Sequence, residues 1–373
     1  MIKVLQVLPR LRRGGSQTFV MNLYRNIDRT KVQFGFIVFS EERDEFYNEI
    51  ISMGGEVFFF EKFNGINYFK IKKDFSRFLD KHTEYQIIHF HVYTTANLYI
   101  DIAKKHGLKT IVHSHSTSNG KNLKSIVKYF FQKPLKRKAD MLFACSDEAG
   151  QWLFGKKAML NSNYFFIPNG IDINKFRFNL LKRKEIRSYY NIQNKKVIGH
   201  VGSFQHPKNH KFLLSVFNEI CKNDKSFVLM LVGDGYLKCN ILKQIKNYHL
   251  EDSVILVGNV PNVFDYLNSF DVFAFPSLWE GLPLSVIEAQ VSGLNCIISN
   301  NITKNVCVTN FISYLNLKSK SEWANEIIKK SFIDRTADRF NENNLALQFD
   351  IKNVAIKIEN LYETSLIENE NIK

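Results

Sequence analysis

Apolar and polar positions alternate along the chain in a pattern that changes period repeatedly. Short runs rich in Val, Ile and Phe are separated by longer amphipathic stretches, which is typical of α/β domains with parallel sheets. In the first half, strands are predicted near residues 2–8, 33–39, 56–60, 86–91, 109–114, 141–145 and 164–167. Helices are predicted near residues 17–27, 43–53, 69–81, 95–106, 121–133 and 147–154. The opening "MIKVLQVLPR" is interpreted as a first strand and not as a signal peptide, because it lacks a small-residue cleavage site.

The pattern stops at a Pro-Asn-Gly turn and a basic stretch, Lys182–Lys184, and then begins again. In the second half, strands are predicted near residues 196–201, 227–232, 254–257, 271–275 and 295–298, with helices between them. The tail, from about 350 to 367, is predicted to form one amphipathic helix. Since 373 residues are too many for one ordinary core, we expect two domains, residues 1–175 and 176–349, with the tail helix packed back on the first.

Composition narrows the class of protein. The hydrophobic fraction of 45% and the charged fraction of 23% are those of a globular protein in water. No apolar run approaches the roughly 18 residues that a transmembrane helix needs. The five cysteines are odd in number and have no metal-ligand spacing, so they are interpreted as reduced thiols of a cytoplasmic protein.

Positive charge is concentrated in the first half. The net charge is +15, and residues 1–180 carry 28 lysines and arginines against 16 acidic residues. The segment 121–138 holds seven basic residues and no acidic one, with apolar residues at helical spacing. Three interpretations stay open for it: a core-packed helix with a solvated face, docking on an anionic membrane surface, and nucleic-acid binding. Nucleic acid is the least favoured partner, because no recognisable reading motif occurs.

Glycine turns follow several predicted strands. Gly14 and Gly15 come after the first strand, and Gly202, Gly233, Gly235 and Gly258 come after strands of the second half. Ligands of open α/β sheets bind at the carboxyl ends of strands, where glycine lets the backbone approach them. A Rossmann dehydrogenase is disfavoured, since no strand is followed by G-x-G-x-x-G. Lys208, just before a predicted helix, is suited to neutralise a diphosphate.

The stretch "PSLWEGLPLSVIEAQVSG", residues 276–293, carries two glutamates around a helix start. Pro283 suits the first helical position, which puts Glu280 in the preceding loop and Glu288 one to two turns into the helix. A carboxylate there can accept two hydrogen bonds from a ribose diol. The alternative is a pair of ordinary acids that are favoured near a helix N-terminus.

Taken together, these motifs resemble retaining glycosyltransferase family 4, whose members have the GT-B fold. The resemblance covers nearly the whole chain. It rests on the two glutamates above and on "VGSFQHPKN", "LVGDG", "IPNGIDINKF", "GGSQ" and "IVHSHST". It implies an α/β, GT-B architecture: two Rossmann-like domains with parallel sheets facing a central cleft.

The resemblance also implies roles for individual residues. Glu280 and His115 would be catalytic, with His115 preferred to His113 because neighbouring side chains on a strand face opposite ways. Donor-binding residues would be Glu288, Lys208, Gly202, Ser203, Gly233, Gly281 and Leu282. Gly14 and Gly15 would lie at the acceptor or phosphate loop. The other histidines nearby, His89, His91 and His113, are interpreted as structural groups with satisfied hydrogen bonds.

The implied function is sugar transfer from a nucleotide-sugar, expected to be a UDP-sugar, to a glycan or lipid-linked glycan acceptor. The closest likeness is with bacterial capsule and exopolysaccharide transferases acting at the inner face of the cell membrane. The resemblance implies that the anomeric configuration of the sugar is retained, by attack of the acceptor on the front face with the departing phosphate as base. No Asp-x-Asp and no His/Cys cluster with ligand spacing occur, so no metal and no cofactor are expected.

Two positions depart from the family pattern. Ser203 stands where an arginine is usual, which weakens neutralisation of the diphosphate, and Asn295 stands where proline is usual. The change at Asn295 is interpreted as neutral. Two alternative functions stay open, and Ser203 is the reason for the second. One is a GT-B nucleotide-sugar epimerase of the UDP-GlcNAc 2-epimerase kind, and the other is a nucleotide-sugar-binding pseudoenzyme or membrane adaptor.

Overall fold

The computed structural model describes residues 1–12, 14–40, 42–116, 129–333, 335, 340 and 347–370. The chain divides into two units, Met1–Gly170 with Gln348–Lys373, and Ile171–Leu347. The division therefore falls after Gly170, five residues before the predicted boundary at 175. Each unit contains one parallel sheet with helices on its faces, as the alternating pattern predicts.

The described part of the first unit has a seven-stranded sheet in the order β3-β2-β1-β4-β5-β6-β7. Its strands are β1 Ile2–Leu8, β2 Val32–Val38, β3 Glu56–Phe59, β4 Ile87–Phe90, β5 Lys109–Ser114, β6 Met141–Ala144 and β7 Tyr164–Phe166. Its helices are α1 Gly15–Asn26, α2 Tyr47–Ser52, α3 Tyr68–Lys81, α4 Tyr93–Lys105, α5 Leu135–Lys138 and α6 Asp147–Leu153. Within the predicted helix at 121–133, residues 129–132 are helical, and residues 121–128 lie outside the described residues.

The described part of the second unit has a six-stranded sheet in the order β10-β9-β8-β11-β12-β13. Its strands are β8 Lys196–Val201, β9 Phe227–Val232, β10 Val254–Gly258, β11 Val272–Phe275, β12 Asn295–Ser299 and β13 Ile312–Leu315. Its helices are α7 Ile173–Phe176, α8 Leu180–Tyr189, α9 His210–Asn223, α10 Lys238–Asn247, α11 Val263–Ser269, α12 Leu284–Val291 and α13 Lys320–Ser331. The sequence pattern missed β13, because this half-buried edge strand of four residues has no continuous apolar run.

Successive residues of β1 contribute to two separate hydrophobic clusters of the first unit. Val4 and Leu8 belong to the cluster on one face, and Leu5 and Val7 belong to the other. A parallel sheet covered on both faces buries both sides of its central strands, which explains why β1 is apolar from Val4 to Leu8 except at Gln6.

The tail forms one helix, α14 Ile351–Glu370, that packs on the first unit. Ile358 and Tyr362 are fully buried in the same cluster as Val4 and Val20. Glu359 accepts a hydrogen bond from the backbone N–H of Asp28 at 2.6 Å. Among the described residues, no helix combines the length and the apolar character that crossing a bilayer requires.

Candidate active site

The carboxyl ends of β8 and β11 meet at the candidate donor site of the second unit. β8 pairs with β9 on one side and with β11 on the other, so the strand order changes direction between β8 and β11. Loops that leave two such strands run to opposite faces of the sheet and open a crevice between them. Six of the predicted site residues follow these two strands: the donor-binding Gly202, Ser203, Lys208, Gly281 and Leu282, and the catalytic Glu280.

Hydrogen bonds hold the two loops together. The N–H of Leu278 donates to the carbonyl of Pro207 at 2.8 Å, and the side-chain amide of Asn209 donates to the carbonyl of Pro276 at 3.1 Å. Asn209 has a left-handed backbone, φ 54°, a conformation that asparagine adopts more readily than most residues. The loops therefore form one connected surface at the sheet edge.

An ion pair joins the loops at this surface. Lys208 Nζ lies 2.7 Å from Glu280 Oε1, and each side chain is 17% exposed. The ammonium also lies 4.7 Å from the centre of the Phe275 ring. The sequence pointed to both residues but not to their contact, since they lie 72 positions apart. A diphosphate bound here would compete with Glu280 for the lysine.

Gly233 and Gly235, in the loop after β9, allow that loop to contact the loop after β8. Gly233 has φ 143°, and a Cβ there would lie 2.1 Å from the carbonyl oxygen of Gly202. A Cβ on Gly235 would lie 2.7 Å from the carbonyl oxygen of Phe204. Both positions need glycine for backbone packing, independently of any ligand.

Glu288 lies on α12, immediately beyond the loop that carries Glu280. The helix begins at Leu284 and Pro283 is its N-cap, so the prediction of Pro283 as first helical residue was wrong by one position. Ile287 and Val291 are buried beside it, while the glutamate itself is half-buried. Among the described residues, its carboxylate has no hydrogen bond or ion pair. Burial raises the pKa of Glu288 to about 7. An acceptor in this environment is suited to hydroxyl donors from a ligand.

The first unit has a corresponding change of strand order between β1 and β4. The N–H of His91, just after β4, donates to the carbonyl of Val7 in β1 at 3.0 Å. Gly14 caps the N-terminus of α1 beyond β1, and its carbonyl accepts from the N–H of Thr18 at 2.8 Å. Among the described residues, no atom other than those of its chain neighbours and its own helix lies within 4 Å of where a Cβ on Gly15 would be, so the first helical residue has open space beside it.

His115 follows β5, beside this edge of the sheet. Its Nε2 lies 2.8 Å from Nδ1 of His91, and its Nδ1 lies 3.3 Å from Oδ1 of Asn169. Its backbone N–H donates to the hydroxyl of Tyr93 at 2.6 Å. Burial lowers the pKa of His115 to about 4, so the imidazole is neutral at pH 7. A neutral imidazole can exchange hydrogen bonds with a substrate but adds no charge.

The three neighbouring histidines are buried, and burial lowers the pKa of each well below its usual range. The expectation that all are satisfied was wrong for His113, neither of whose ring nitrogens has a hydrogen bond of normal geometry in the described residues, and in part for His89, whose Nε2 has none there. Nitrogens of His89, His91 and His113 lie within 4.8 Å of one another, close enough to consider a metal. Both ring nitrogens of His91 are already hydrogen-bonded to protein groups, however.

Comparison with known families and proteins agrees with this geometry. Residues 13–175 match the model of Glycosyltransferase Family 4, and residues 182–344 match the model of Glycosyl transferases group 1. EpsF of Bacillus subtilis (strain 168), which carries a glycosyltransferase name, is 32% identical over 99% of this chain and 98% of its own. The chain belongs to glycosyltransferase family 4.

This glycosyltransferase is also similar to other relatives and to solved structures. It is 27% identical to the capsular polysaccharide biosynthesis glycosyltransferase CapH of Staphylococcus aureus, over 97% of this chain and 99% of that protein. The structure of Anabaena HepE in complex with UDP has a TM-score of 0.80 at 16% identity, covering 98% of this chain and 100% of that one. The glycosyltransferase therefore has the GT-B fold. The matched models and relatives do not favour the epimerase alternative.

The raised pKa of Glu288 predicts a stability change with pH. Between its ordinary pKa of 4.5 and its folded value of about 7, the unfolded chain loses this proton first, so the free energy of unfolding falls as pH rises and then levels off. Glu288→Gln should remove this loss and stabilise the ligand-free protein at pH 8 by about 1–3 kcal/mol, with little effect below pH 5. Thermal melting across this pH range measures it.

Glu219→Gln is the matched control, because Glu219 is also a half-buried glutamate on a helix of the second unit. This variant should melt in parallel with the wild type at every pH. A Glu288→Gln stabilisation that is the same at pH 5 and pH 8 would contradict the desolvated carboxylate.

Proposed function

We propose that this glycosyltransferase moves a sugar from a UDP-sugar to a lipid-linked glycan, with retention, in bacterial capsule or exopolysaccharide synthesis. Support for the acceptor comes from names of relatives. One, 30% identical over 62% of this chain, is the Escherichia coli UDP-Gal:alpha-D-GlcNAc-diphosphoundecaprenol alpha-1,3-galactosyltransferase. Support for a uracil nucleotide comes from this relative and from the HepE structures with UDP and UDP-glucose.

The observation that carries the proposal is the arrangement after β8 and β11. The half-buried cation Lys208 is paired with Glu280. On the following helix, the carboxylate of Glu288 accepts no hydrogen bond from any described residue. A diphosphate, a sugar and a ribose diol offer the groups that these three side chains complement.

The proposed reaction breaks the bond between the anomeric carbon and the diphosphate oxygen. An acceptor hydroxyl forms the new bond on the same face of the sugar, and its proton passes to the departing phosphate. Lys208 stabilises the negative charge that develops on that phosphate. With Lys208 turned to the phosphate, Glu280 accepts hydrogen bonds from the sugar hydroxyls. By the family resemblance, we propose that His115 acts at the transferred sugar as a neutral imidazole.

Glu288→Ala should weaken binding of UDP-glucose, used as a probe, by about 2–4 kcal/mol through loss of charge-assisted hydrogen bonds to two hydroxyls. Wild-type affinity should also rise about tenfold from pH 6 to pH 8, because only the ionised carboxylate accepts from both hydroxyls. Glu288→Gln should flatten this pH profile. Calorimetry measures both effects.

Glu219→Gln serves again as the control and should keep both the affinity and the pH profile. UDP-glucose is the better probe than UDP, because its diphosphate has no proton to lose in this range. Equal affinity of Glu288→Ala and wild type for UDP would refute the ribose assignment.

Glu280→Gln should lower sugar transfer strongly while UDP binding is kept or improved. The neutral amide no longer competes with phosphate for Lys208, but it cannot accept from sugar hydroxyls as a carboxylate does. Transfer from UDP-sugars to a lipid-linked acceptor and titration with UDP give the two readouts. Wild-type transfer by Glu280→Gln would place this residue away from the sugar.

Metal independence stays a prediction. If Lys208 and backbone N–H groups meet the charge of the leaving group, EDTA should leave the rate unchanged. The assay is transfer after exhaustive chelation, with and without added Mg²⁺ or Mn²⁺. A strict requirement for either ion would contradict metal independence and would show that Lys208 and the backbone N–H groups are not sufficient.

Peripheral association with an anionic membrane also stays a prediction. Residues 121–128 of the basic segment lie outside the described residues. In the remainder, Tyr129 is 55% and Phe130 is 65% exposed, beside Lys133 and Lys136. Sedimentation with anionic vesicles at increasing salt concentration measures this association. Binding that does not weaken as salt is added would exclude an electrostatic association.

A further inference from the structure

A continuous chain of hydrogen bonds leads from His115 into the core of the first unit. His115 Nε2 lies 2.8 Å from His91 Nδ1, and His91 Nε2 lies 2.8 Å from Gln6 Oε1. Gln6 Nε2 donates to the hydroxyl of Tyr362 at 3.2 Å, and that hydroxyl lies 2.8 Å from His89 Nδ1. The chain joins strands β1 and β4 and the segment after β5 to the tail helix α14.

Water has little access to the interior of this chain. Gln6, His89 and Tyr362 have no exposed surface, and His91 is 4% exposed. A buried polar group that lacks a complementary partner is costly, so donors must face acceptors at every step. The position of one proton in the chain therefore constrains all the others.

The order of donors begins at Tyr362 and His89. A phenolic O–H is a stronger donor than the N–H of a neutral imidazole, and an imidazole nitrogen is a stronger acceptor than a phenolic oxygen. Tyr362 therefore donates to His89 Nδ1, and its oxygen, left as an acceptor, receives a hydrogen bond from Nε2 of Gln6. Burial raises the pKa of Tyr362 above its usual range, so the hydroxyl keeps its proton.

The order then passes outward. With Nε2 of Gln6 turned to Tyr362, its oxygen faces His91 Nε2, which must carry the hydrogen. The Nδ1 of the neutral His91 is then an acceptor, so the hydrogen between the two imidazoles belongs to Nε2 of His115. His115 is left with a lone pair on Nδ1.

Among the described residues, Asn169 faces this lone pair, with its amide oxygen Oδ1 3.3 Å away. Two acceptors cannot share a hydrogen bond, so this proton order requires the Asn169 amide to be turned over. Its NH₂ group, which has the same shape as the oxygen side, then faces Nδ1. The long distance makes this the weakest link of the chain, and a hydroxyl from a ligand can compete for the same lone pair.

We propose that Tyr362 positions His115 through Gln6 and His91, so that neutral His115 holds its proton on Nε2 and offers Nδ1 as an acceptor for a sugar hydroxyl. The proposal rests on the proposed role of His115 at the transferred sugar. Tyr362, Gln6 and His91 are positioning residues, since they act on substrate only through His115.

Nitrogen-15 NMR of histidine-labelled protein tests the proton order without any substrate, with His115→Gln and His91→Gln assigning the signals. In the wild type, Nε2 of His115 should have the shift of a protonated nitrogen and Nδ1 that of an unprotonated one. Tyr362→Phe removes the hydroxyl that orients Gln6, so the His115 signals should move toward an average of the two tautomers. Transfer should fall mainly in kcat, while affinity for UDP, which the second unit binds, stays unchanged.

Tyr24→Phe is the matched control in the same unit. The Tyr24 hydroxyl donates to the carbonyl of Met53 at 3.1 Å and accepts from Gln33 at 3.0 Å, and it takes no part in the chain of hydrogen bonds that leads to His115. This variant should lose melting temperature but keep the His115 signals and kcat. Tyr362→Phe that lowers only the melting temperature, or a wild-type His115 protonated on Nδ1, would overturn the proposal. Normal transfer by His115→Gln with the expected NMR shifts would instead refute the role of His115 and leave the proton order standing.

Discussion

Parallel strand pairing is the constraint on which both candidate sites depend. Parallel strands all end at the same edge of a sheet, and the order of strands reverses once in each unit, between β1 and β4 and between β8 and β11. At the second reversal, Lys208 and Glu280 come within 2.7 Å although they are far apart in sequence. At the first, His91 is held against β1 by its backbone N–H. Gly233 and Gly235, after β9, let the backbone there approach the loop after β8.

Desolvation sets the charge state of the candidate residues. Burial raises the pKa of Glu288 to about 7 and lowers that of His115 to about 4, so both side chains are less charged at neutral pH than they would be in water. Lys208 and Glu280 form an ion pair with each other. A ligand with a diphosphate and hydroxyl groups would replace these interactions instead of meeting free charges, which favours recognition by exchange of partners.

The tail helix contributes more than packing to the first unit. α14 buries Ile358 and Tyr362 against the strands at the start of the chain, and the Tyr362 hydroxyl joins the hydrogen bonds around His89 and Gln6. The last helix thereby completes both the core and the polar interior of a unit whose other elements come from the first 170 residues. A polar chain of this kind specifies side-chain orientation more strictly than apolar contact does.

The sequence alone indicated most of the succession of strands and helices, since buried parallel strands need mainly apolar runs and helices need a period of 3.6. Through the resemblance of its motifs to a known family it also pointed to Glu280, Glu288, Lys208 and the glycines, but it could not foresee β13, an edge strand with a mixed pattern. Only the tertiary structure decided that Lys208 pairs with Glu280, that His113 lacks ordinary hydrogen bonds, and that Tyr362 reaches Gln6 across 356 positions. Local sequence patterns indicate which surfaces are buried, whereas contacts between distant side chains depend on the spatial order of the strands in each sheet.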